Sequence, residues 1–279
     1  MKHDPFKIDE PTCISFSGGR TSAYMLWRVL QSNGGLPSEA VVCFANTGKE
    51  DEATLRFVEQ CSREWAVPIT WLEYQDNEPG YLVVDFETAS RQGEPFESLL
   101  NKRSMLPNPV ARYCTGQLKI RVVGKYLHDI GIAITKSDGE QISWIGIRAD
   151  EPRRAAKIED KSRIPLWAAN VTKELVGEFW RNQSFDLQLP NNNGVTMHGN
   201  CDLCYLKPMS QIVSLIREKP SRVIWWAKQE YLAEFKASTA RAARFRQDRP
   251  SYKEMAKFAE QQIDMFDPNE EGISCFCGD

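Results

Sequence analysis

One stretch constrains this chain more than any other. Thr12-Cys13-Ile14-Ser15-Phe16 runs into Ser17-Gly18-Gly19-Arg20-Thr21-Ser22 and then into Ala23-Tyr24-Met25-Leu26-Trp27-Arg28-Val29-Leu30. A short apolar strand turns through two glycines into a segment with helical apolar periodicity, the opening of an α/β fold. The glycines let backbone N–H groups approach an anion, Ser17, Thr21 and Ser22 add donors, and the amides at a helix start attract negative charge. The unit is therefore a candidate phosphate cradle, although a plain strand-to-helix turn uses the same residue types. It is not the dinucleotide fingerprint, which needs a third glycine, nor a Walker A loop, which needs Gly-Lys-Ser/Thr.

The alternation continues. Residues 40–45 (Ala-Val-Val-Cys-Phe-Ala) read as a second strand, 51–65 as a second helix, 69–72 as a third strand and 142–147 as a later one. Strand–helix alternation implies right-handed crossovers and a parallel sheet covered by helices. Beyond Pro208 the pattern is helical, over 210–217, 221–235, 239–246 and 252–265. The expected division is an α/β nucleotide-binding domain over 1–170, followed by a cysteine-bearing loop and helical region over 171–279. Ligands in open α/β sheets sit at the carboxyl ends of strands. Ser17-Gly18-Gly19, Asn46-Thr47-Gly48 and Gly146-Ile147-Arg148 all fall there.

No stretch approaches the ~18 apolar residues of a membrane span, and Met1-Lys2-His3-Asp4 does not open a signal peptide, so the expectation is a cytoplasmic chain with its eight cysteines reduced. The net charge of −3 is unevenly spread: between Leu99 and Lys125 every charged residue is basic, and the part from Lys207 to Lys257 is basic too. Such stretches are commonly solvated helix faces, but they could also line a polyanion surface.

Cys201-Asp202-Leu203-Cys204 is a CxxC within a Gly199-Asn200 turn, a spacing that lets two thiolates reach one centre. Cys114, Cys275 and Cys277 are the candidates for further ligands. Cys13, Cys43 and Cys61 fall in apolar elements and read as core. Zinc, an iron–sulfur cluster and a redox dithiol all remain open on spacing; the scattered arrangement suits a [4Fe–4S] cluster better than a zinc ribbon. Of three histidines, His3 is terminal, His128 is helical, and His198 reads as a hydrogen-bonding loop residue.

Several motifs match one family in order. The 17–22 stretch resembles the PP-loop of ATP pyrophosphatases and phosphoadenosine phosphosulfate reductases, with Arg20-Thr21 in place of the usual Lys-Asp. Phe44-Ala45-Asn46-Thr47-Gly48 is similar to the family's second-strand Asn-Thr-Gly, and Cys114-Thr115-Gly116-Gln117-Leu118-Lys119 to its Cys–Leu-Lys segment. Gly146-Ile147-Arg148-Ala149-Asp150-Glu151-Pro152-Arg153 is similar to its Gly-x-Arg-x-x-Glu-x-x-Arg, and Ile164-Pro165-Leu166-Trp167 and the CxxC complete a series spanning about 12–208. The tail Ser274-Cys275-Phe276-Cys277-Gly278-Asp279 departs from the reductases' Glu-Cys-Gly-(Leu/Ile)-His, and Tyr113 stands where cluster-bearing sulfonucleotide reductases have a second cysteine.

The resemblance implies an adenine nucleotide α-hydrolase-like fold. It also implies an enzyme that activates a nucleic-acid substrate with ATP and inserts sulfur, as in DNA phosphorothioation or tRNA thiolation. ATP with Mg2+ would be held by Ser15, Ser17, Gly18, Gly19, Arg20, Thr21, Ser22, Asn46, Thr47, Gly48, Arg148 and Arg153. Arg20, Arg148 and Cys275 would serve catalysis, and Cys114, Cys201, Cys204 and Cys277 would hold a [4Fe–4S] cluster, or zinc. The implied partners are a cysteine desulfurase as sulfur donor and nucleic acid, DNA ahead of tRNA, as acceptor; a homodimer is compatible with this, and no membrane is expected. Two other functions fit the same residues: a sulfonucleotide reductase, and a non-catalytic nucleotide- or nucleic-acid-binding subunit.

Overall fold

The computed structural model describes residues 4–132, 143–192, 195–236 and 243–261. The strand–helix alternation is present as β1 (Thr12–Ser15), α1 (Arg20–Asn33), β2 (Ala40–Asn46), α2 (Glu52–Glu64) and β3 (Ile69–Tyr74). A strand that the sequence reading did not contain, β4 (Tyr81–Val84), then turns back along β3. There follow α3 (Glu94–Asn101), α4 (Tyr113–Thr115), a π-helical turn over Gly116–Ile120, and α5 (Arg121–Asp129). Next come β5 (Ser143–Trp144), α6 (Pro152–Ala155), α7 (Pro165–Ala168) and α8 (Lys173–Arg181). The short hairpin of β6 (Asn191–Asn192) and β7 (Val195–Thr196) leads to α9 (Met209–Glu218), α10 (Arg222–Lys236) and α11 (Tyr252–Gln261).

The main sheet has the order β4-β3-β2-β1-β5. β1 pairs in parallel with β2 and β5, β2 pairs in parallel with β3, and β4 is antiparallel at the edge. The central strands are largely apolar because helices cover both faces. Ile14, Phe16, Val42, Phe44 and Trp71 join Met25, Leu26, Leu55 and Val58 in one core, whereas Cys13, Cys43, Ala45 and Leu72 join Val122, Val123 and Leu127 of α5 in another. Each such side chain contributes about 1.5–3 kcal/mol on burial. Cys13, Cys43 and Cys61 are core residues, as expected.

A further core forms where Trp226 stacks on Tyr252 and meets Phe245 and Phe96 edge-on. Packing does not divide at 170. Val176, Trp180, Leu187 and Leu189 complete the core of β1 and β2, while Phe96, Leu99 and Leu118 pack with the 203–259 helices.

Two expected elements change. The strand over 142–147 is reduced to Ser143–Trp144, because the Ile145 N–H turns to the Arg163 carbonyl (2.9 Å); Ile142 lies outside the described residues. The helix expected over 239–246 is not formed across 243–246, where Phe245 is fully buried and its N–H donates to Glu230 (3.4 Å); 239–242 lie outside the described residues. The last expected helix is present as α11, and its continuation over 262–265 also lies outside them. Among the described residues no helix is long and apolar enough to cross a membrane.

Candidate active site

The turn from β1 into α1 forms the floor of a cleft lined by Ser17, Gly18, Gly19, Arg20 and Thr21. Only glycine fits at 18: its φ is +78°, and a Cβ there would meet Thr54 Cγ2 at 2.6 Å. Gly19 caps α1 without any side-chain bond to the helix amides, so no side chain of the cap competes with a ligand anion. Ser22 is buried below the floor. Its hydroxyl accepts from the Ser17 N–H (3.1 Å) and donates to the Gly19 carbonyl (3.0 Å), which fixes the turn from beneath. Ser15, also implied as a nucleotide contact, is the last residue of β1 and does not line the cleft.

Arg148 reaches the same cleft from the loop after β5. Its Nη1 donates to Thr21 Oγ1 (2.9 Å), and its Nε and Nη2 donate to Asp150 (3.0 and 3.3 Å). Asp150 also accepts from the Lys173 N–H at the start of α8 (3.1 Å). Burial works against the Asp150 carboxylate, but the bonds and charge of Arg148 outweigh it and hold its pKa below the usual range. The opposite walls come from Lys173, Val176 and Gly177 of α8 and from Thr196, Gly199 and Asn200. Gly199 and Asn200 lead directly into Cys201, so the cradle and the cysteine turn share a wall.

Other expected residues of this site are held by contacts within the protein or lie outside the cleft. Arg20 lines the cleft, and its guanidinium is clamped on Asp186 (Nε–Oδ1 2.7 Å, Nη2–Oδ2 2.9 Å) and on the Leu187 carbonyl (2.6 Å), as Arg148 is held by Asp150. Asn46, Thr47 and Gly48 are buried and do not line the cleft; the Asn46 amide donates to Glu73 (2.6 Å) and to the Ser90 carbonyl (2.8 Å). Gly48 abuts Gly93, where a Cβ would come within 3.0 Å of backbone. Arg153 is exposed on α6, while its neighbour Arg154 is buried against Glu151. Counting Gly-x-Arg-x-x-Glu-x-x-Arg from Gly146 ends on Arg154, so the spacing already carried that signal.

The Asn-Thr-Gly loop serves the cysteines instead. Thr47 Oγ1 lies 3.5 Å from Cys201 Sγ and bonds the Glu50 carboxylate (2.8 and 2.9 Å). Lys49 pairs with Asp202 inside the CxxC (3.1 Å), Asp202 N–H donates to the Lys49 carbonyl (2.7 Å), and Trp226 Nε1 donates to Asp202 Oδ1 (2.8 Å). His198 is the loop residue expected, bonded to Glu218 (2.6 Å).

No family model matches the chain. Over 207 residues, 71% of this chain and 67% of the other, it is 34% identical to an uncharacterized nin region protein, ORF290, of Escherichia phage lambda. The chain belongs to the family of that phage protein.

Cys114, Cys201 and Cys204 come together in one apolar cluster, with Cys114 Sγ 3.3 Å from the Tyr205 hydroxyl. Burial, then the charge of Glu50, pushes the Cys201 thiol well above its ordinary pKa. Among the described residues no three His, Cys, Asp or Glu side chains are disposed to hold one metal ion. The proposed catalytic Cys275 and the fourth ligand Cys277 lie outside the described residues.

Proposed function

We propose that the protein is an adenylating sulfur-transfer enzyme of the PP-loop type, cleaving ATP between its α- and β-phosphates over the 17–21 turn. The observation that carries this reading is Arg148, anchored by Asp150 and held 2.9 Å from Thr21 on the floor of a cleft whose far wall runs into Cys201. Backbone amides of the turn would hold the pyrophosphate, and Arg148 would offset the charge that develops as it leaves. An acceptor oxygen attacks the α-phosphorus, pyrophosphate departs, and the acceptor carries AMP through that oxygen. The terminal sulfur of a carrier persulfide then displaces AMP, giving an acceptor–S–S–carrier disulfide, and a second thiol attacks the carrier sulfur, releasing the sulfurated acceptor and leaving a carrier–thiol disulfide. The sulfur would arrive as a persulfide from a cysteine desulfurase, and nucleic acid, DNA ahead of tRNA, is the acceptor class. Among the described residues no carboxylate lines the cleft, so no protein ligand is assigned to Mg2+ and no step is assigned to it or to a cluster.

The test is nucleotide analysis after incubation with ATP and a nucleic-acid acceptor. The expected products are AMP and pyrophosphate; ADP and phosphate would reject the reaction class. Sulfite released from a sulfonucleotide without ATP cleavage would select the reductase reading instead.

A further inference from the structure

The cleft over the cradle does not stop at α8. A second cleft continues from it, sharing Arg20, Lys173, Gly177 and Asn191, and extends to Arg181. Lys173, Gly177 and Arg181 stand four residues apart on one face of α8, so the two cations are separated by about 12 Å along the helix with the glycine between them.

Gly177 is the informative residue. A glycine inside a helix costs about 1 kcal/mol relative to alanine. Here the packing does not require it: a Cβ at 177 would find only Arg181 Nη1, at 3.5 Å. Val176 and Trp180 carry the buried side of the helix. The Arg181 guanidinium therefore lies over Gly177, on the side where the two clefts meet. A residue that breaks the local rule with no structural compensation marks a functional surface. Two carboxylates, Glu174 and Asp186, line the second cleft with Arg20, Lys173 and Arg181, leaving one cation in excess. Asp186 is occupied by Arg20, Lys173 has only Glu174 at 4.0 Å, and Arg181 has no ion pair among the described residues.

We infer that this groove seats the phosphodiester backbone of a single-stranded nucleic-acid acceptor, which crosses α8 over Gly177 between Lys173 and Arg181. The inference deepens the adenylation reading, on which it rests, by giving the acceptor a path to the cradle. A single strand is the form proposed, because an unstacked nucleotide can turn its reacting oxygen out of the stack toward the 17–21 turn.

The test is fluorescence anisotropy of a labelled single-stranded oligonucleotide with the full chain, alongside calorimetric binding of inorganic pyrophosphate. Arg181→Glu should weaken oligonucleotide binding about tenfold or more, as expected for one lost charged contact, and Gly177→Leu should weaken it by filling the groove with a side chain. Arg181→Ala should reduce the log–log salt slope by about 0.7. Gly177→Ala, which favours the helix, serves as the folded control and should give a smaller loss. Oligonucleotide binding that is absent in the native chain, equal in all variants, or stronger for a duplex overturns the inference. If binding depends on Gly177 and Arg181 but no AMP forms, the groove stands and the adenylation reading fails.

Discussion

Arg20 and Asp186 form a two-point ion pair between residues 166 apart in the sequence, with Nε 2.7 Å from Oδ1 and Nη2 2.9 Å from Oδ2. Arg20 opens α1 and Asp186 follows α8, so the pair ties the cradle to the helix that walls the cleft. The Trp180 indole N–H adds a bond to the Arg20 carbonyl (3.0 Å), and the two helices pack directly.

Asp186→Asn should therefore act mainly on stability. Asp186 is 39% exposed, which places the loss between that of a surface pair and a buried one, about 1–2 kcal/mol. A melting point lowered by about 2–4 °C per kcal/mol is expected for a chain of this size. Pyrophosphate affinity that falls without any change in melting point would mean that the pair serves the ligand.

Arg148→Ala should show the reverse pattern. Its guanidinium is the cleft cation held against Thr21, and charged hydrogen bonds contribute about 1.5–3 kcal/mol, so ATP affinity should fall about 10- to 150-fold. Calorimetry on Arg148→Ala and Thr21→Val checks this. Thr21→Val should give the smaller loss, because it removes the hydroxyl that Arg148 bonds but leaves the charge. Native affinity in Arg148→Ala would remove Arg148 from the site.

Lys49 and Asp202 are a nearly buried pair, with side chains 8% and 12% exposed. Breaking one partner of such a pair costs about 3–5 kcal/mol, mainly through the unpaired charge that remains. Lys49→Met should lower the urea midpoint sharply, and Lys49→Met combined with Asp202→Asn should recover most of the loss, since Asn keeps an acceptor for the Trp226 N–H. A double variant as weak as the single one would show that the ion pair is not what holds the cysteine turn.

Glu230 sets a pH dependence. Burial raises its pKa from 4.5 to about 6, against the N–H groups of Tyr252 and Phe245 that lower it. The folded state binds its proton more tightly than the unfolded chain. Stability is therefore unaffected by this group below pH 4.5, falls as pH rises from about 4.5 to 6, and carries the full cost above that, about 2 kcal/mol. Unfolding curves of Glu230→Gln against the native chain should diverge across that window and stay parallel above it. Parallel curves throughout would place the titration elsewhere.

Much of the fold was legible because the signals are local. The apolar run into Gly18-Gly19 dictates a strand, a turn and a helix, and the period-2 split of Ile14 and Phe16 from Cys13 dictates which sheet face each serves. β4 was missed although Tyr81-Leu82-Val83-Val84 is an apolar run, because it lies on an antiparallel edge with Leu82 and Val83 exposed, outside the strand–helix alternation. The cleft was legible as far as Ser17, Gly18, Gly19, Thr21 and Arg148. Its far wall was not: Lys173, Gly177 and Asn200 carry no motif, and they converge only because α8 packs on α1.

The sequence by itself determined the strand-to-helix cradle, the alternation that builds a parallel sheet, and the burial of Cys13, Cys43 and Cys61, since each depends on neighbours a few residues away. Only the tertiary structure decided what Arg20 and Thr47 do. Both stand in motifs that suggest a nucleotide, yet Arg20 answers to Asp186 and Thr47 faces Cys201. The reason is physical. A charge or hydroxyl takes the partners that packing brings within reach, and Asp186 for Arg20 and Cys201 for Thr47 both lie more than a hundred residues away along the chain.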